Sequence, residues 1–238
     1  MHGDTAFVSG YVRQLLQNYR LRDQASLVIA APFIYIPKLA ELLQNSSITL
    51  AAQDISAYEK GAYTGDISAA MLADFRCSYS IIGHSERRTF FAEQDAVIAA
   101  KIKQALLHGI KPILCVGETE QDFKANKSQA VVQQQLDAVC ADMKIKHMAE
   151  MTIAYEPVWA IGTGLTATPQ QAQEMHHFIR DRVATYADRA VADRVKILYG
   201  GSVHPDNASA LIVQQDVDGF LVGKASLDPH KLLALYNL

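Results

Sequence analysis

The 238-residue chain carries 22 basic and 25 acidic side chains, a formal net charge of −3, and half of its residues are apolar. That balance excludes a disordered chain, a collagen and a disulfide scaffold. With no basic block, it also argues against nucleic acid or an anionic membrane surface as a partner.

The start, Met1-His2-Gly3-Asp4, lacks the basic and apolar regions of a secretory signal. Residues 4–19 read as an amphipathic helix, with Phe7, Val8, Tyr11, Val12, Leu15, Leu16 and Tyr19 at helical spacing behind a capping Asp4 or Thr5. The longest nearly uncharged apolar run, 27–37, holds a proline and is far shorter than the roughly 20 residues of a membrane span. Strands are predicted over 26–31, 48–53, 79–83, 111–116, 151–156, 195–200 and 219–222. Runs such as LVIAA, ITLAA, PILCV and TIAYE are continuously apolar rather than alternating, the pattern of parallel strands buried on both faces.

Helices are predicted between them. One covers 94–108, ending at Gly109; another covers 169–186, opened by Thr168-Pro169; shorter ones cover 207–213 and 229–236. No linker or low-complexity tract interrupts the alternation, so residues 1–238 read as one domain. Cys77, Cys115 and Cys140 are widely spaced with no Cys-x-x-Cys pair, and read as buried thiols of a reducing cytoplasm. No cluster with metal-ligand spacing is present in the sequence, and neither metal nor organic cofactor is expected.

Strand–helix alternation demands a parallel sheet, open or closed into a barrel. No Gly-x-Gly-x-x-Gly follows an early strand. Instead, polar and glycine residues follow many strands: His84, Gly117-Glu118, Glu156, Gly201-Ser202 and Gly223. Chemistry spread over many strand ends marks a (β/α)8 barrel, although only seven strands are predicted.

Five segments then carry a specific resemblance. Ile82-Gly83-His84-Ser85-Glu86-Arg87-Arg88 and residues 154–164 (AYEPVWAIGTG) are joined by 199–203 (YGGSV), 219–223 (GFLVG), and Gln53-Asp54-Ile55 with 61–65 (GAYTG). In this order the chain resembles the triosephosphate isomerases from end to end. The resemblance implies a TIM barrel that interconverts glyceraldehyde 3-phosphate and dihydroxyacetone phosphate in glycolysis and gluconeogenesis.

It implies Glu156 as the base that shuttles the proton, His84 as the neutral donor that polarises the carbonyl oxygens, and Glu86 as a further member of the catalytic set. A carboxylate at a strand tip can reach a carbon-bound proton, and a helix start disfavours imidazolium. This pairing is the worked case from which the general rule is drawn. Residues 157–164 fit a lid stiffened by Pro157 and ending in Gly-Thr-Gly. Gly162, Ser202 and Gly223 are implied as phosphate contacts, the alternative being glycines that only permit tight turns.

Two departures stand out. Met1-His2-Gly3 resembles the stretch that follows the family's catalytic lysine, so the first strand and that lysine have no counterpart here. The expected fold is therefore the eight-stranded barrel with its first strand absent. On that account an inactive barrel retaining phosphate affinity is the alternative function. The second is Lys224, where the family has glycine; it is either a second phosphate ligand or a solvent-facing side chain. The resemblance also implies a homodimer through the loop around Tyr58–Ser68, with Thr64 reaching the neighbouring site.

Overall fold

The computed structural model describes residues 1–141, 143–161 and 166–238. Seven strands form one parallel sheet in chain order: β1 (Val28–Ala31), β2 (Thr49–Ala52), β3 (Tyr79–Ile82), β4 (Lys111–Val116), β5 (Thr152–Tyr155), β6 (Lys196–Tyr199) and β7 (Gly219–Phe220). Each falls inside its predicted apolar run. The order is that of a TIM-barrel sheet, and among the described residues β1 and β7 are its unpaired edges.

The continuous apolar runs have a direct cause. Ile113 and Cys115 of β4 point to a small inner cluster with Ile81 and Ala154, while Leu114 and Val116 point outward into the core shared with the helices. Both faces of a strand are thus buried, each fully covered isoleucine or leucine contributing roughly 1.5–3 kcal/mol.

The helices lie outside. Thr5–Asn18 is capped by Asp4, whose side chain accepts from Phe7 N at 2.7 Å, and it buries Val8, Val12 and Leu15. It packs beside both Ile36–Leu43 and Pro229–Tyr236, so the helical layer is continuous where the sheet is not. No helix among the described residues is long and apolar enough to cross a membrane.

Parallel register sets the height of the chemistry. Val116 is level with Tyr155, and Tyr155 with Tyr199. The residues that follow, Gly117, Glu156 and Gly200, therefore emerge side by side at the carboxyl ends of three adjacent strands.

Candidate active site

Glu156 follows β5 directly. Its backbone N–H donates to Val116 O at 2.8 Å, and Gly200 N donates to Tyr155 O at 2.7 Å, which continues the sheet one residue past the strands. Glycine at 117 and at 200 is what lets these chains converge. A Cβ on Gly117 would overlap the Glu156 carbonyl oxygen, and one on Gly200 would press on the Glu156 side chain.

The Glu156 carboxylate is 2% exposed and fully engaged. One oxygen accepts the backbone N–H of Ser85 at 2.8 Å, and the other lies 2.9 Å from His84 Nε2. A buried carboxylate without such donors would be costly to hold ionised.

His84 caps the short helix Ser85–Phe90, and its Nδ1 accepts from Glu86 N at 3.2 Å. That acceptance leaves the ring proton on Nε2, directed at Glu156. Burial opposes a charge on the ring, the Glu156 hydrogen bond and charge and the Glu86 charge together favour it, and the balance lies above the ordinary histidine value. The helix end that disfavours a charge on the ring is thus opposed by a carboxylate at hydrogen-bond distance, a contact that the sequence did not show.

Glu86 contributes its backbone N–H to this arrangement; its side chain is 69% exposed, with one oxygen 3.9 Å from His84 Nδ1. Arg88, from the same motif, is an internal tie. It donates to Gly83 O at 2.8 Å and Cys115 O at 3.2 Å and pairs with Asp95 at 2.5 Å, which pins the turn after β3 to β4.

The sequence marked Glu118 only as a polar residue after a strand, and its partners were not legible there. Glu118 is 1% exposed and accepts from Tyr155 Oη at 3.0 Å and from Trp159 Nε1 at 2.7 Å. Burial raises its pKa despite these donors. The root of segment 157–161 is thereby tied to the end of β4, with Trp159 stacked on Phe123. Gly162 lies outside the described residues. Ser202 follows β6, its carbonyl accepting from Asn207 Nδ2 at 2.9 Å. Gly223 and Lys224 follow β7 and are exposed, and among the described residues no carboxylate pairs with Lys224.

A buried carboxylate touching a histidine at the strand ends of a parallel α/β barrel can move a proton to and from carbon beside a carbonyl. Comparison with known proteins narrows this. The triosephosphate isomerase family model matches residues 1–238. The chain belongs to the triosephosphate isomerase family. The triosephosphate isomerase of Ralstonia nicotianae is 48% identical over 224 residues, 93% of this chain and 90% of the relative. Those of Coxiella burnetii and Nitrosomonas europaea are each 45% identical, covering 99% of this chain and 92% and 93% of their own lengths.

Proposed function

We propose that this cleft interconverts D-glyceraldehyde 3-phosphate and dihydroxyacetone phosphate, within a single barrel domain. The observation that carries the reading is the buried Glu156 carboxylate 2.9 Å from His84 Nε2. Glu156 takes the proton from the carbon beside the carbonyl. The C–H pair becomes the C=C bond of an enediolate, and the carbonyl π pair moves to oxygen, where His84 Nε2–H donates. A proton passes between the two oxygens, and Glu156 returns its proton to the neighbouring carbon. Every transfer is internal, so no cofactor enters. The phosphate falls to Gly162, Ser202, Gly223 and Lys224, whose ammonium group adds charge to backbone donors. Glu86 takes part through the histidine it orients.

Substrate must separate the His84–Glu156 pair before Glu156 can act. A raised histidine pKa means the charged pair is strongest below about 6.5 and fades as pH rises through the raised value. The test is deuterium uptake from solvent into dihydroxyacetone phosphate, followed by NMR across pH. Uptake is expected in the neutral and alkaline range and should fall on the acid side. Binding of the phosphate ester with no uptake at any pH would overturn the reading.

We further propose a homodimer built on the loop at 58–68. Its Tyr58 and Tyr63 are exposed, with their ring centroids stacked 3.8 Å apart. Beside it, Phe33, Ile67, Met71 and Phe75 line an apolar groove. Exposed apolar groups gathered in this way call for a partner surface. A monomeric mass by sedimentation at micromolar protein would refute the dimer. Three buried, unpaired thiols support a cytoplasmic location.

A further inference from the structure

We propose that Gln135, on the outer helix Ser128–Cys140, is a positioning residue for this site: its amide clamps the backbone of Gly117 and thereby holds Glu156 in place. The inference rests on the isomerase reading given above and adds to it a residue remote from substrate.

Gln135 is 9% exposed and lies on the helix face that buries Val132, Leu136, Val139 and Cys140. A polar amide in such a place is costly unless both of its ends are bonded. Both ends go to one residue. Gly117 N donates to Gln135 Oε1 at 2.8 Å, and Gln135 Nε2 donates to Gly117 O at 3.1 Å. This two-point contact resembles one step of strand pairing, supplied by a side chain just where β4 has ended.

Gly117 is the residue whose missing side chain admits the Glu156 backbone, so the two main chains are in contact and displacement of one passes to the other. Val116 O accepts the Glu156 N–H immediately before it. Glu118 comes immediately after, its carbonyl accepting from Val158 N at 3.2 Å and its carboxylate from Trp159. One amide therefore steadies the base and the root of segment 157–161 together.

A misplacement of about 1 Å can cost 10²-fold in rate, so loosening Gly117 by a few tenths of an ångström should cost about 10-fold. Gln135→Met keeps volume and loses both bonds. Its kcat is expected to fall about 10-fold, while KM and inhibition by inorganic phosphate change by less than about threefold, because three of the four proposed phosphate contacts, Ser202, Gly223 and Lys224, lie on other loops. Fluorescence of Trp159, the sole tryptophan in the sequence, should shift in the same variant. Val132→Ala, fully buried one turn earlier on the same helix, is the control: it loses stability and keeps kcat.

Gln135→Glu restores the acceptor for Gly117 N–H without the donor and should fall between parent and Met variant; it decides the matter if Gln135→Met does not fold. Parental kcat in Gln135→Met, or in Gln135→Glu where that variant decides, overturns the clamp. So does a loss of kcat that Val132→Ala matches at equal loss of melting temperature. A parent chain without turnover overturns the isomerase reading and the clamp together, which separates the two failures.

Discussion

Glu156→Asp is expected to lower turnover about 100-fold while the circular dichroism spectrum stays parental. Removing one methylene draws the carboxylate back by about 1 Å, the displacement that costs roughly 10²-fold in a positioned base. It also loosens the hold on that carboxylate, since neither Ser85 N at 2.8 Å nor His84 Nε2 at 2.9 Å can follow it. The change should fall on kcat more than on KM, because the phosphate contacts do not involve this strand tip. Turnover close to parental in a coupled assay would remove Glu156 from the role of base.

The second large effect concerns stability. Beneath the loop at 58–68, Lys101 pairs with Asp54 at 2.7 Å and with Glu93, and Arg87 pairs with Asp54 at 2.9 Å and Glu93 at 3.1 Å. The Lys101 and Glu93 side chains are 6% and 4% exposed. Burial already pushes the Asp54 carboxyl above the usual carboxylate range, even with Lys101 beside it. Lys101→Met leaves two buried carboxylates facing one guanidinium. Breaking such a cluster costs about 3–5 kcal/mol, a fall of roughly 6–20 °C in melting temperature for a chain of this size. Lys38→Met removes a surface pair with Glu41, 38% and 65% exposed, and should change the melting temperature by under about 2 °C. Equal shifts in the two variants would show that burial does not govern the cluster.

The parts of this molecule that were legible in its sequence are those whose cause is local. PILCV reads as a strand because both of its faces are buried, and β4 occupies that run. The helix Pro169–Tyr186 begins where predicted because Thr168 and Gln171 form a reciprocal cap with proline at the first position. The helix Ile36–Leu43 escaped notice because it starts inside an apolar run, and its cap, Tyr35, makes no side-chain bond. Glu156 and His84 were legible because each sits at a strand end inside a dense motif. The contact between them was not, since it joins residues 72 positions apart. Gln135 is the sharpest case. It is one of three consecutive glutamines, 133–135, identical in composition and distinguished only by helical phase with Val132, Leu136 and Val139. Phase marks it as inward-facing, but the backbone it meets is that of Gly117, 18 residues earlier and just past the end of a strand.

All three cysteines are buried, at 4%, 0% and 1% exposure, and burial lifts their thiols, Cys77 to about 11, Cys140 to about 12 and Cys115 well above the usual thiol value, the Glu156 carboxylate adding to the effect of burial there. Thiolate is the reactive form, so none can be alkylated at neutral pH until its surroundings open. They sit at three separate stations: just before β3, within β4, and at the end of the helix that carries Gln135. The protein thus contains three internal clocks for its own opening. If the barrel comes apart all at once, the three labelling rates coincide; if it opens in sections, they separate, and their order gives the sequence in which those sections part.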